Sequence, residues 1–572
     1  MKYKKIILAA AMIIGFFLRF IYLDKVPVSL FGDELDVGYQ AYSILTTGKD
    51  YMGNFMPIHF ESLAEYRTPL YLYTTVPTVA LFGITPLGVR LPSVILGVLS
   101  IYLLYLLVKE LSGDERVALL SAVAISLSPW HIHYSRTGFE VSEMILLLLL
   151  GIWSFLKGLR KPNYLILASV SLGLLPWVYS TAKLFLPLIL ILILALWWRE
   201  LQKLPRKALV ACIMAFMLVI IPITWSTLFA GGAERFGSIS ILADKTIEPS
   251  IGFERLADAK RRDPNAANGV AATLPEKLLH NKVTYLGNVF LNNYLTSFSS
   301  QFLFTKGDHN PRHSIQGMGV MYKIDFVFLL LGLIVFFISA IPTKIKLFII
   351  GWLLLAPIPA ALTDQGGDHA TRLILMLPPL LILVSFGLSK LLSGQKSRSL
   401  MYLARVGTIG TYLISFIFFV HQYLAHYPIE SERWWHAGIK EAIIETESLA
   451  DAYDRVIISQ ADEPLFKFFL SYAKFPPQEL QERFPQKEDL APFGKVRKLD
   501  KFYFTSEGDG IGLYELGTKL PVRTLYLATQ KEIVQDLKNE PSRVPADLKL
   551  IKVFTQPSGM PIFYLFSSSK TD

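Results

Sequence analysis

Apolar runs close to twenty residues long recur along this 572-residue chain, and they constrain it more than any other feature. A hydrocarbon core of about 30 Å takes roughly 20 residues of helix, and a backbone can cross it only with its polar groups paired internally. Candidate spans are 6–22, 91–109, 117–133, 142–158, 164–180, 184–198, 208–230, 324–342, 346–362, 373–392 and 403–422. About eleven such runs predict a polytopic α-helical membrane protein. Composition agrees, with 52% hydrophobic and 18% charged residues, where a soluble domain carries about a quarter charged. Disorder, collagen, a coiled coil and a disulfide-stapled scaffold are excluded. The lone Cys212 has no partner for an intramolecular disulfide.

Lys and Arg collect at the cytoplasmic ends of spans, so the net charge of +10 reads first as topology and not as a nucleic-acid surface. With the N-terminus inside, Lys109 and Arg116, then Lys157, Arg160 and Lys161, then Arg199 to Lys207, then Lys344, Lys346, Lys390, Lys396 and Arg398 all face the cytoplasm. Lys2, Lys4 and Lys5 resemble a signal peptide's basic start, but no small-x-small cleavage site follows, so the first run reads as an uncleaved anchor. Segment 69–83 is about 15 residues long and contains Pro77, which suits an interfacial or re-entrant helix. An odd number of spans leaves the C-terminus outside. The predicted outward segments are 23–90, 231–323 and the chain beyond 423.

Residues 1–427 therefore read as a membrane domain, and 428–572 as a small extracytoplasmic α/β domain. Within the latter, 455–459, 501–505 and 561–566 have the β-branched and aromatic content of strands, while 435–449 and 529–538 read as helices. Pro476-Pro477 and Gly508-Asp-Gly510 mark turns. In the outward segment 231–323, residues 275–304 show the spacing of an amphipathic interfacial helix, and 305–322 read as a polar lid.

Ionisable residues gather just beyond the outer span ends: Arg19, Asp33, Glu34, Asp36, Glu65, Arg67, Arg90, Arg136, Glu140, Lys183, Arg312, Asp368, His369 and Arg372. A transporter would place charges near the midplane, in broken helices. The distribution points instead to a reaction at the outer interface. Asp33, Glu34 and Asp36 follow the first span directly. On a helix Asp33 and Asp36 share a face while Glu34 diverges by about 100°. One carboxylate then enters a cleft as a neighbour orients it. The same trio also suits an acidic first turn favoured by the helix dipole. No Gly-rich phosphate cradle is present, which argues against nucleotide sugars.

Several motifs, taken in order, resemble one family. They are Gly32-Asp33-Glu34, the Pro57 segment, Glu65-Tyr-Arg-Thr-Pro69-Leu-Tyr71, Phe82-Gly83, Val89-Arg90-Leu-Pro-Ser93, Ser128-Pro129 with Ser135-Arg136, Tyr179 with Lys183 and Pro187, Gly307-Asp308 with Arg312-His313, and His369-Ala-Thr-Arg372 with Leu377-Pro378. This set is similar to the membrane glycosyltransferases related to dolichyl-phosphate-mannose protein mannosyltransferases and the bacterial lipid A aminoarabinose transferase. The resemblance runs over roughly 1–425. It implies a GT-C-type bundle and a sugar donor linked through phosphate to a polyprenol. It also implies an inverting single displacement that passes the sugar to a hydroxyl on a protein, a lipid or a cell-envelope glycan.

By that resemblance Asp33 matches the catalytic base and Glu34 the second acid of the pair. A leaving polyprenyl phosphate needs fixed positive charge, for which Lys183 and Arg372 are the first candidates and Arg136 and Arg312 the next. Asp36, Glu65, Tyr179, His313 and His369 are expected to contact substrate; at Glu65 the interval to the prolines departs from the aminoarabinose transferase pattern. Other readings stand beside these. Arg19 suits a side chain snorkelling to the headgroups, Lys183 a solvated charge on a short turn, and His369 with Arg372 an interface anchor.

His309 and His313 stand at i, i+4, but Pro311 between them disfavours a regular helix, and His131 with His133 share a face only in a strand. No resident cofactor is expected, with a divalent metal kept as the alternative. The expected partners are the lipid-linked donor, membrane lipid and a hydroxyl acceptor, with no nucleic acid. The expected place is the plasma membrane, with the site on its extracytoplasmic face. The rival reading is a transporter or flippase for a lipid-linked or polymeric envelope substrate.

Overall fold

The computed structural model describes residues 2–62, 66–232, 234–265, 271–393, 398–484, 498–506 and 512–568. Among these, seven helices are long and apolar enough to cross a membrane: Pro86–Ser112, Val141–Gly158, Ser180–Leu201, Arg206–Phe229, Thr343–Ala361, Ala370–Leu392 and Met401–Glu430. The chain is a polytopic membrane protein. The other four predicted spans fall on helices that are shorter or carry more charge, namely Lys2–Phe20, Glu115–Leu127, Tyr164–Val178 and Asp325–Ile338. Segment 69–83 forms the short apolar helix Leu70–Phe82, with Pro77 inside it. The chain divides into two compact units, one of residues 1–14, 99–131 and 143–415, the other of residues 15–98, 132–142 and 416–572.

In the first unit, helices Asp325–Ile338 and Leu377–Ser393 meet at two glycines. A Cβ on Gly332 would lie 1.9 Å from the Leu383 carbonyl oxygen, and one on Gly387 would lie 2.2 Å from that of Phe328. Without a hydrophobic drive between helices in lipid, such close backbone approach supplies the packing. Helix Arg206–Phe229 does the opposite and leaves Val210, Met214, Leu218, Ile221 and Trp225 exposed, an apolar surface suited to lipid.

The predicted helix over 275–304 is broken in two, Leu274–Leu279 and Lys282–Thr296. Asn281 ends the continuity by capping the second helix, its side chain accepting from the amides of Val283 (2.9 Å) and Thr284 (3.2 Å). His280, at the break, is clamped by Glu254 (2.9 Å) and Asp258 (2.7 Å) of helix Ile247–Arg262. Of the predicted lid, Ile315, Met318, Val320, Met321 and Tyr322 are buried. Polar side chains are presented by its earlier part, 306–314.

In the second unit a six-stranded mixed sheet is built from the C-terminal segment. Its order is Lys498–Leu499, Phe502–Phe504, Arg455–Ile458, Thr524–Thr529, Pro561–Ser568, Leu548–Thr555. Arg455–Ile458 runs parallel to both neighbours, and the remaining pairs are antiparallel. Strand alternation divides the core. Val456, Ile458, Leu525, Leu527 and Leu565 pack on one face, and Ile457, Tyr526, Ala528, Tyr564 and Phe566 on the other. The helix predicted at 529–538 is absent. Thr529 ends a strand, and Glu532 folds back to accept from its amide (2.9 Å), so the following residues turn instead of winding. The predicted Gly508-Asp-Gly510 turn lies outside the described residues.

The first face of that sheet shares its core with the segment after the first helix, through Leu30, Leu35, Tyr39, Phe60 and Leu72. Helix Gly32–Thr47 is tied to it by polar bonds as well. Tyr39 donates to the Phe475 carbonyl (3.0 Å), and Gln481 donates to the hydroxyls of Ser43 and Thr47 (both 3.2 Å). The acidic helix thus sits on the C-terminal fold.

Candidate functional site

Asp33 and Glu34 occupy the first turn of helix Gly32–Thr47, where the unpaired amides favour negative charge, and Asp36 follows just beyond it. The three members of this acidic trio meet different surroundings. Glu34 and Asp36 are fully buried, whereas the Asp33 side chain is 40% exposed. Arg90 grips Glu34 as a fork, Nε to Oε1 and Nη2 to Oε2, both at 2.8 Å, and the Gly138 amide donates to the same Oε1 at 2.7 Å. A Cβ on Gly138 would stand 3.1 Å from Glu34 Cγ, so glycine permits that approach. Asp36 accepts from the hydroxyls of Tyr51 (2.8 Å) and Ser62 (2.9 Å).

Arg67 bridges the two acids of the shared face. Its Nη2 lies 2.7 Å from Asp33 Oδ1 and its Nε 2.5 Å from Asp36 Oδ2. The short ladder Phe60–Glu61 with Tyr66–Arg67 carries this arginine into the interior. Glu65, expected to contact substrate, lies outside the described residues. Lys467 of helix Phe466–Tyr472 also approaches, its Nζ 2.8 Å from where a Gly32 Cβ would stand. Sequence reasoning assigned no role to Arg67 or Lys467. Arg67 was legible only as one more outer charge, and Lys467 gave no signal.

Two arginines differ from expectation. Arg136, expected at the phosphate, is buried beneath the chain that follows the first helix. Its Nη1 donates to the carbonyls of Leu18 and Ile21 (both 2.8 Å), and its Nη2 to those of Tyr22 (3.1 Å) and Val26 (2.9 Å). It ties down a loop. Arg19 does not snorkel but is buried, donating to the Gly15 carbonyl (2.8 Å). Beside it, a Cβ on Gly97 would stand 2.4 Å from Ser135 Oγ, so glycine there makes room for Ser135.

In the other unit, Tyr179 precedes helix Ser180–Leu201 in an extended conformation, and Lys183 stands on its first turn, donating to the Gly232 carbonyl (3.0 Å). Lys183 lies at one end of an apolar groove between this helix and Arg206–Phe229, a cavity of about 350 Å³ with Leu186, Pro187, Leu190, Phe216 and Ile223 in its walls. A second cavity of about 450 Å³ shares Leu190 and Phe216 and continues to Trp198 and Gln202. At 1.5 Å per residue the stretch from 183 to 202 extends about 30 Å, the thickness of a hydrocarbon core. Lys183 is the one cation among the described residues that line it.

The same unit holds a polar cavity of about 250 Å³ lined by Ser238, Asp308, His309, Asn310, His313, Asp364, His369 and Arg372. Asp308 organises it. Its Oδ2 accepts from His313 Nδ1 (3.1 Å) and the Ala370 amide (2.8 Å), and its Oδ1 from the Asn310 amide (2.8 Å). Burial pushes this carboxyl up, but the His313 bond and charge and the two amides outweigh it and hold it below its ordinary value. The His313 and His369 rings lie 4.5 Å apart, tilted by 30°. Arg372 donates to Thr363 Oγ1 (2.6 Å) and the Asp364 carbonyl (2.9 Å). Arg312 is half-buried on the same turn, its amide donating to Asn310 Oδ1 (2.9 Å).

Asp308, His313 and His369 each offer a ligand atom within 4.8 Å of the others. One carboxylate and two imidazoles are zinc-type donors. This is neither of the histidine pairs visible in the sequence. His309 leans to Asp368 (3.3 Å), and His131 with His133 sit on helix Pro129–Tyr134, where positions two apart diverge.

Over residues 66–225 the sequence matches the family model described as dolichyl-phosphate-mannose-protein mannosyltransferase. Across 171 residues, 28% of the chain, it is 28% identical to undecaprenyl phosphate-alpha-4-amino-4-deoxy-L-arabinose arabinosyl transferase 2 of Pseudomonas fluorescens, and the match spans 29% of that relative's length. Its structure is similar to that of ArnT from Cupriavidus metallidurans bound to undecaprenyl phosphate, with a TM-score of 0.53 at 10% identity over 99% of this chain and 98% of that one. It is also similar to the Archaeoglobus fulgidus oligosaccharyltransferase tethered with an acceptor peptide, with a TM-score of 0.51 at 13% identity over 82% of this chain and 63% of that one. The chain has the GT-C fold that its motifs resemble.

Proposed function

We propose that this protein is an inverting glycosyltransferase that moves a sugar from a polyprenyl-phosphate donor to a hydroxyl acceptor at the extracytoplasmic face of the membrane. The observation that carries the reading is the groove along helix Ser180–Leu201. It is apolar over the thickness of a hydrocarbon core and ends at one ammonium group. A polyprenyl chain fills such a groove by hydrophobic burial alone, and its phosphate takes a charge-assisted hydrogen bond from Lys183. The fold, together with what the similar proteins are named as binding and transferring, supports the same reading.

In the reaction the acceptor oxygen attacks the anomeric carbon, the bond from that carbon to the phosphate oxygen breaks, and the polyprenyl phosphate departs with the electron pair. The acceptor proton passes to Asp33, the exposed carboxylate of the trio. Arg67 orients that carboxylate. Glu34 and Asp36 act as positioning residues, since their oxygens are engaged by Arg90, Gly138, Tyr51, Ser62 and Arg67. Arg372, which lines the polar cavity, and Arg312, on the 306–314 turn, offer further cationic charge to the donor's phosphate or the acceptor.

Asp308, His313 and His369 would hold a divalent cation if one binds, and it would supply charge to a phosphate. A cation there must replace the His313 bond to Asp308, whose backbone contacts persist. Our reading is that the cluster works as a hydrogen-bonded clamp between the 306–314 turn and helix Ala370–Leu373. Sugar release from a synthetic polyprenyl-phosphate hexose or aminopentose by the purified protein tests the whole reading. A protein that moves the intact lipid across vesicles and releases no sugar would be a flippase instead.

A further inference from the structure

The C-terminal sheet contains a cavity that the transfer reaction does not use. It measures about 530 Å³, within the roughly 300–1,000 Å³ of small-molecule sites. Its place follows from topology. The chain leaves Arg455–Ile458, builds the parallel neighbour Phe502–Phe504 on one side, then crosses to build the parallel neighbour Thr524–Thr529 on the other. Connections diverging from the carboxyl ends of adjacent parallel strands leave a crevice there, where open α/β sheets bind ligands. The cavity opens at that point, with Asp462 and Glu463 just past one strand and Gln530 and Lys531 just past the other.

The remaining walls come from outside the parallel strands. Arg433 and His436 lie a few residues beyond helix Met401–Glu430. The turn at 556–560 is fastened to that segment by Glu432, which accepts from the Ser558 amide (2.8 Å) and hydroxyl (2.5 Å). His436 is held at φ 53°, a left-handed conformation that a non-glycine residue adopts at a cost and that clusters at binding sites. Its ring packs edge-on against Phe468, and its Nε2 lies 3.6 Å from Glu463.

The lining defines the ligand. Arg433 and Lys531 contribute two positive charges, Asp462 and Glu463 two negative, so the ionised groups cancel. Arg433 stands 3.9 Å from Asp462, and Lys531 donates to the Ala461 carbonyl (2.8 Å). A phosphate or nucleotide would find little net attraction. The carboxylates accept from hydroxyls, Gln530 and Gln556 do both, and Phe563 with Met560 gives an apolar wall. A sugar ring, with hydroxyls at its edge and C–H groups on its face, matches that mixture. We propose that this cavity is a binding site for a neutral saccharide of one or two rings, lined by none of the residues of the acidic trio. It does not depend on the transfer reading, because binding needs no donor.

The test is saturation-transfer-difference NMR on the full chain in lipid nanodiscs, with maltose and N,N′-diacetylchitobiose as probes and inorganic phosphate as the anionic competitor. One disaccharide is expected to bind at millimolar concentration. Gln556→Ala and Asp462→Asn should each weaken it about tenfold with an unchanged unfolding midpoint, and phosphate should not displace it. No transfer to either disaccharide, displacement by phosphate, or full binding in both variants overturns the site.

Discussion

Arg90 and Glu34, fifty-six positions apart, form a fully buried fork in which both carboxylate oxygens accept a guanidinium N–H at 2.8 Å. The rest of the guanidinium is spent on the carbonyls of Leu23, Pro27 and Ser29, and it lies 5.4 Å from the Trp435 ring. One ion pair thus fixes the helix start, the preceding loop and the C-terminal segment together. Glu34→Ala would strand a buried charge, at a cost of about 3–5 kcal/mol. We expect a lower unfolding midpoint and poor expression from Glu34→Ala, and from Arg90→Lys as well, since an ammonium cannot reproduce the fork. Near-normal stability with selectively lost turnover would give Glu34 a direct part in the reaction.

Lys183→Ala should raise the donor dissociation constant, because a charge-assisted contact to phosphate is worth about 1.5–3 kcal/mol, or roughly ten- to a hundredfold. Leu190→Trp should have the same sign through a different cause, since it fills the wall shared by the two cavities. Binding of a fluorescent polyprenyl phosphate in detergent reads both. Unaltered affinity in the pair would move the donor out of the groove.

Orientation follows from the basic loops. With Cys212 replaced by serine, an impermeant thiol reagent applied to intact cells should label a cysteine at Ser238 or Ser506 and leave one at Gln202 unlabelled. The reverse pattern would invert the topology and put the proposed reaction in the cytoplasm.

These residues differ in how far the sequence disclosed them. Asp33, Glu34 and Asp36 fall within four positions and follow a span, so their local pattern was visible; their partners are not local. Nothing near Arg67, Arg90 or Arg136 in the chain says that the first meets two acids, the second one, and the third four carbonyls. Arg67 and Arg90 were legible only as outer charges within a motif, and Arg136 as a candidate for the donor phosphate. The same holds for Asp308, His313 and His369, where a separation of 56 residues hid the cluster behind closer histidine pairs. At 529–538 the apolar Ile533 and Leu537 have helical spacing, but both are buried beside the sheet from a turn that Glu532 holds. The hydrophobic spacing there serves a loop.

Two ionisable groups give segment 231–323 a stability window in pH. His280 is raised above 6.5 by its hydrogen bonds and charge partners Asp258 and Glu254. Its contribution is complete below that unfolded value and disappears as pH rises through the folded one. Asp308 is lowered below 3.8, so its contribution is complete above 3.8 and disappears as pH falls through its folded value. Hydrogen exchange should therefore show the 247–296 helices loosening on the alkaline side and the 306–314 turn on the acid side. His280→Gln should remove the first change and leave the second. Chelation should leave both in place if the Asp308 cluster holds no cation; loss of the turn's protection on chelation would assign a metal to it.

Asp33 carries the mechanism, and its surroundings set what its replacement must do. Asp33→Asn keeps the side chain's size and one acceptor oxygen for Arg67, so the helix start and the groove should survive intact. The amide cannot take a proton near neutral pH, and loss of base catalysis costs about 10²–10⁴-fold in rate. We expect turnover to fall by that order while donor affinity and the unfolding midpoint stay at wild-type values. Asp36→Asn should behave differently. It weakens a buried contact with Arg67, so it should lower stability, and it should reduce turnover only as far as Arg67 releases Asp33. Arg67→Lys separates the two effects. Its ammonium can reach one acid but not both, so turnover should fall further than stability. If Asp33→Asn retained more than about a tenth of wild-type turnover, a different group would have to accept the acceptor's proton, and the exposed member of the trio would be no more than a favourable charge at a helix start.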